Sequence, residues 1–242
     1  MLILAALTIS LAILSTQAYV YQRSSARASS NYSILSDYVL SIEQGSRHVV
    51  VASLINISNG GAASNLRTNL DRWEAFTGGD YRFGRCDLNS TLASQPPYSD
   101  GVWLEWGTGG KGVSSAFVDF TFNLSGRGAE VDWEFDVNAS TIVLVSGFWE
   151  PIHTNEKRVT VIINLLNDGA RALASSIALT YWRSNRWTDP SALSSYSMLD
   201  YGNGTCRCSF IDVIPNTPIR VRVQVSDRRN VFVQAEASLL QR

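Results

Sequence analysis
The chain has 242 residues, 45% of them hydrophobic, with 20 basic and 21 acidic side chains and a formal net charge of -1. That length and apolar content allow a sizeable core and two domains of ordinary size. The near balance of charge argues against nucleic acid as a partner, because phosphate binding draws on concentrated basic patches and none is present.

The opening stretch, MLILAALTISLAILSTQAYVYQ, carries no charge before Arg23. An ordinary secretory signal has Lys or Arg ahead of its apolar run, and here that basic region is missing, although Thr16-Gln17-Ala18 has the small residues of a cleavage site. As a helix rising about 1.5 Å per residue, the stretch would span roughly 33 Å, enough for a bilayer core of about 30 Å. Leu4, Leu7, Leu11, Leu14, Ala18 and Tyr21 fall at alternating steps of three and four, the seam of a helix packed on other helices. The seam runs on through Ser25, Ala28, Tyr32, Leu35, Val39 and Ile42, with Gly45 in the place of a C-terminal cap. These spacings predict one hydrophobic assembly helix within residues 1–47. A surface so apolar must be buried in lipid or in copies of itself. A plain membrane anchor needs no packing stripe beyond the bilayer, so the continuation past Arg23 favours self-assembly.

Past the helix the pattern turns to strands: HVVVASLINIS, SAFVDFTFNLS, EVDWEFDV, STIVLVSG, RVTVIINLL, SSIALTYW, IRVRVQV and NVFVQAEASLL. Ile219, Val221, Val223 and Val225 alternate with Arg220, Arg222 and Gln224, which predicts one buried and one wet face. LINISNGGAASNL, from Leu54, aligns without a gap on IINLLNDGARALA, from Ile162, and Trp73 and Trp182 follow at similar intervals. Asn and Gly in this pattern tolerate positive φ and suit a tight turn between two strands. VDWEFDVNASTIVLVSG and VRVQVSDRRNVFVQAEAS each read as a hairpin. The expected fold class is therefore α+β: a long N-terminal hydrophobic helix followed by two tandem, mutually similar antiparallel β-sandwiches of immunoglobulin-like type. They would occupy 48–150 and 151–242, with the junction at Trp149-Glu150-Pro151.

Chemistry is sparse. Cys206 and Cys208 would share one strand face, too parallel to bond each other, so a disulfide would join one of them to Cys86 and leave an odd thiol. A zinc site would want four ligands, and His48 and His153 are the only histidines. GTGGKG (107–112) places Gly112 where a phosphate loop needs Ser or Thr, and reads as a glycine-rich hairpin. Asp132, Glu134 and Asp136 alternate on one strand face as its solvated side. Trp103, Trp106, Trp182 and Trp187 serve either core packing, the commoner use, or stacking on sugars. Asn31, Asn56, Asn89, Asn123, Asn138 and Asn203 each open an Asn-X-Ser/Thr sequon, the acceptor pattern for N-linked glycans on an exported surface. Nothing here predicts an enzyme, a cofactor or a metal.

An uncharged apolar N-terminus leading through a helix into a sequon-rich β region resembles the type IV pilins and archaellins of archaea. The resemblance implies an extracellular cell-surface filament of identical subunits, inserted in the membrane before assembly. It further implies helices bundled at the axis, an outer β sheath making surface or cell contacts of an adhesive kind, and removal of a short basic leader. The family carries no catalytic residues. This chain departs from it in having no basic-Gly leader and two inferred sandwiches where one is usual, and position 5 is Ala5 rather than the glutamate of bacterial pilins. The alternative is a single-pass anchored extracellular protein whose two sandwiches act as binding or cell-envelope modules.

Overall fold
HVVVASLINIS, at 48–58, has the composition of a strand and folds as a helix. The computed structural model describes residues 36–80, 84–126, 129–153, 155–215 and 217–242. The seam residues Leu4 through Tyr21, and Asn31, lie outside the described residues. The chain divides into two units, Met1–Gly45 and Ser46–Arg242. In the first, residues 36–45 are helical, and the Ser41 hydroxyl donates to the Asp37 carbonyl at 2.7 Å. The second contains all the described strands.

Helix α1 covers 36–58 and helix α2 covers Asn65–Asp80. The reason α1 wins over β character at 46–58 is spacing: Ser46, Val50, Ser53, Leu54 and Ile57 recur at three and four, and all are buried. Burying such apolar side chains stabilises by about 1.5–3 kcal/mol each, whereas β-branched residues lose only ~0.5 kcal/mol each in a helix. Trp73 and Asn69 on α2 bond the Ser46 and Ser53 hydroxyls at 2.9 and 3.0 Å, fixing the helix pair. Gly45 does not cap α1, which runs through it. The stop comes at Gly60, with φ of 98°, where the Gly60 and Gly61 N–H groups bond the Ile57 and Asn56 carbonyls at 3.0 and 2.9 Å, a Schellman ending.

Twelve strands follow among the described residues: β1 (Arg85–Leu92), β2 (Val102–Trp106), β3 (Lys111–Gly126), β4 (Ala129–Pro151), β5 (Glu156–Asn167), β6 (Ala170–Arg171), β7 (Ala174–Arg183), β8 (Arg186–Thr188), β9 (Ser197–Asp200), β10 (Thr205–Val213), β11 (Ile219–Asp227) and β12 (Phe232–Gln241). One layer runs from β1 and β2, which share an edge of β3, through β4, β5 and β10 to β9. The other is β8-β7-β11-β12. Between them lies one apolar core, to which β5 contributes Val159, Val161 and Ile163, β10 Phe210, β11 Val221 and Val223, and β12 Val233 and Ala235.

The layers are joined along β12. Its last residues pair in parallel with β4, Leu240 to Phe148 and Gln241 to Trp149. Upstream, the GTGGKG loop takes over: Gly110 N–H donates to the Glu236 carbonyl at 2.7 Å, and Glu236 N–H to the Gly107 carbonyl at 2.9 Å. Gly112 lies so close to this strand that a Cβ there would stand 2.0 Å from the Gln234 carbonyl oxygen. Further on, the Ser114 hydroxyl donates to the Phe232 carbonyl at 2.7 Å, and Phe232 N–H to the Ser58 hydroxyl at 3.1 Å. Helix α2 guards the β1 edge, since Arg67 Nη1 donates to the Ser90 carbonyl at 3.0 Å and Glu74 accepts from Ser90 N–H at 2.8 Å. Arg67 and Glu74 also pair with each other at 2.9 Å.

The expected architecture of a long hydrophobic helix and two similar tandem sandwiches is corrected by these findings. The described structure is mostly strand, and no helix among the described residues is long and apolar enough to cross a membrane. Ser46–Arg242 is one compact unit, and the expected junction falls inside the β4–β5 hairpin, where Glu150 pairs with Arg158. The two aligned stretches fold differently: the first ends α1 and opens α2, and the second is the β5–β6 hairpin. VDWEFDVNASTIVLVSG lies within the single 23-residue β4, whereas VRVQVSDRRNVFVQAEAS does form a hairpin, β11–β12.

That hairpin turn holds a dense hydrogen-bond cluster. Asp227 is 0% exposed and accepts from Arg229 N–H, Val231 N–H, Arg229 Nε and Thr141 Oγ1, at 2.8 to 2.9 Å. Arg229 reaches on to the Ser140 carbonyl at 2.8 Å and Asp168 at 3.0 Å, and Asp168 also accepts from Arg47 at 3.1 Å. Asp227 and Arg229 therefore tie β11, β12, β4 and the β5–β6 turn together, and Asp168 with Arg47 extends the tie to α1. Removing the carboxylate leaves the Arg229 and Val231 N–H groups without their acceptor, so Asp227→Ala is expected to lower the unfolding free energy by about 2–4 kcal/mol, read as a fall in the denaturant midpoint with unchanged slope.

Candidate functional site
On the outward face of the second layer, alternation sends the β11 valines inward and Arg220, Arg222 and Gln224 outward, facing Glu236 and Gln234 of β12. The β7–β8 hairpin, turned by Ser184 and Asn185 at positive φ, sets Trp182 directly across from Trp187. The two indoles meet edge to face, with centroids 5.3 Å apart. The Arg222 guanidinium lies 4.1 Å from the Trp187 centroid, and that of Arg220 lies 5.5 and 5.4 Å from Trp182 and Trp187.

Glu236 holds both cations. Its Oε1 accepts from Arg222 Nε at 2.9 Å and Nη2 at 2.6 Å, and its Oε2 accepts from Arg220 at 3.0 Å. Partial burial alone would raise the Glu236 carboxyl; hydrogen bonds and charge from the two arginines outweigh it and hold the group below its ordinary 4.5. In the next row Gln224 donates to Gln234 at 2.8 Å. The result is an aromatic and guanidinium surface with two positive charges and one negative. It can bind and orient a ligand, and no nucleophile with an adjacent base sits within it.

The other chemistry-bearing residues do not gather with this group. Tyr181 is fully buried; desolvation first, then its hydrogen bond to Asp212, pushes its hydroxyl up to about 12. Arg183 completes that group at 2.8 Å from Asp212. Asp132, Glu134 and Asp136 are exposed on the far half of β4. Trp103 and Trp106 lie on β2, Trp106 against Phe232 at 5.2 Å. His48 and His153 are exposed on separate elements, and among the described residues no three His, Cys, Asp or Glu side chains converge on a metal position.

Of the sequon residues, Asn89 on β1, Asn138 on β4 and Asn203 in the β9–β10 turn are exposed. Asn56 is exposed on α1 and accepts from Asn65 at 2.5 Å, while half-buried Asn123 donates to Asp132 at 2.6 Å. The expected Cys86 disulfide is not formed: Cys86, Cys206 and Cys208 are all buried and none is joined in a disulfide. Cys86 is on β1 and Cys206 on β10, separated by β3, β4 and β5. Four strand spacings of about 4.8 Å put them roughly 19 Å apart along the sheet, against a Cα limit of about 7 Å.

Residue spacing gave no hint that Arg220, Arg222 and Glu236 join the tryptophans, because only strand register brings them together. Burial raises both β10 thiols, that of Cys208 to about 12. Iodoacetamide at pH 8 is accordingly expected to leave Cys206 and Cys208 unmodified in the native protein and to alkylate them in denaturant, as read by peptide mass. Comparison with protein-family models finds no match, and comparison with curated proteins finds no similar sequence.

Proposed function
We propose that the chain is the structural subunit of an extracellular helical filament on the cell surface, of the type IV pilus kind and adhesive in use. It polymerises through its apolar N-terminal segment and displays the β-rich body outward. The observation that carries this reading is the uncharged opening of 22 residues, MLILAALTISLAILSTQAYVYQ. Such a segment requires an apolar surrounding at every stage, lipid before assembly and neighbouring copies after it. The three-and-four spacing of Leu4, Leu7, Leu11 and Leu14 suits neighbours better than lipid, since lipid rewards no particular stripe. A head-to-tail contact between identical subunits that does not close on itself makes a filament.

The body supports the reading in two ways. Its sequon residues Asn89, Asn138 and Asn203 are exposed, as acceptors of N-linked glycans on an exported protein must be. Its apolar core is closed between the two layers, which leaves the outer faces for contacts. The test is to shear cells that make the protein, pellet the released material, and image it beside the Leu7→Asp variant. Filaments are expected from the native chain and none from the variant, because an unpaired carboxylate in an apolar bundle costs several kcal/mol. Native protein found only as discrete particles held in membrane would replace this reading with the single-pass anchored one. Normal filaments from Leu7→Asp would show that this stripe is not the assembly interface.

A further inference from the structure
The outer face of the β8-β7-β11-β12 layer carries two tryptophans and two arginines where an uncovered sheet face ordinarily carries small polar side chains. The core does not need them: the inward faces of these strands are already filled by Val221, Val223, Val233 and Ala235, each 0% exposed. Glu236, 12% exposed at its side chain, fixes both guanidiniums, so their positions are set before any ligand arrives. That preorganisation lowers the entropic cost of binding. Arg220 remains 46% exposed and gives Glu236 one nitrogen, Nη2, so the rest of its fork is available for a carboxylate.

We propose that this face binds acidic polysaccharide, with Trp182 and Trp187 against sugar rings and Arg220 on a uronate carboxylate. Indole surfaces pack against the C–H faces of pyranose rings, and the Gln224–Gln234 pair in the next row offers amide groups to hydroxyls. The excess of one positive charge selects acidic over neutral glycans. Two cations are too few for a nucleic-acid track, which neutralises phosphates along its length. The proposal does not depend on polymerisation, since all of its residues belong to one chain.

The test is native affinity electrophoresis of the full chain in gels containing alginate, polygalacturonate, dextran or duplex DNA. Retardation is expected in the two uronate polymers alone, weakening as salt rises. Trp187→Ala and Arg220→Ala should each weaken it by about tenfold or more, with Trp133→Ala, a half-exposed tryptophan elsewhere, unchanged. Thermal melts of each variant separate lost binding from lost folding, and Arg220→Glu, on an exposed side chain, should abolish binding in a folded protein. Absence of retardation in uronate polymers, equal retardation by dextran or DNA, or folded variants that bind as the native chain does would each overturn the proposal.

Discussion
A carboxylate with no exposed surface, at the turn between the last two strands, is the constraint around which the body is organised. Leaving Asp227 unpaired inside the protein would cost several kcal/mol, comparable with the 5–15 kcal/mol of net stability typical of a domain. Its four donors remove that penalty only if β4 and the turn that leads into β12 come to one place. Arg229, held by the same carboxylate, then extends the tie to Asp168 and through it to Arg47 on α1. Breaking the cluster would release several elements at once.

From that point β12 runs the length of the body as the hinge between the two layers. Both of its edges are occupied, one by β11 and the other in turn by Ser58, Ser114, the glycine loop at 107–112 and β4. Glycine is required at 112 because the two backbones touch there. The structure left over is a sheet folded across itself with its outward face free to carry Trp182, Trp187, Arg220 and Arg222. Inner rigidity and outer chemistry are thus separate consequences of a single alternation, valine inward and arginine outward along β11.

That alternation was plain in the sequence, and so were most of the strands. By residue type 48–58 reads as a strand, because β-branched residues dominate it, whereas Ser46, Val50, Ser53, Leu54 and Ile57 hold helical spacing once the serines are counted as inward. The apparent repeat failed for a related reason: Asn and Gly encode a reversal of the chain without specifying what is reversed. Gly60 stops a helix with φ of 98°, while Asp168 and Gly169 turn a hairpin with φ of 50° and 80°. Long-range ties were illegible in principle. Nothing near Asp227 marks it as buried, and nothing near Trp187 announces Arg222, since both depend on register across strands far apart in the chain.

The apolar opening and the β-rich body make different demands on their surroundings, and the proposed filament would satisfy both by burying the first among copies and exposing the second to the medium. The most direct measurement is a helical reconstruction, by cryo-electron microscopy, of material sheared from cells that make this protein. The account predicts density for residues 1–22 packed against the same residues of neighbouring subunits near the axis, with Trp182 and Trp187 on the outer surface. A reconstruction with residues 1–22 away from the axis, or particles whose N-terminus sits in lipid with no lateral copies, would contradict it.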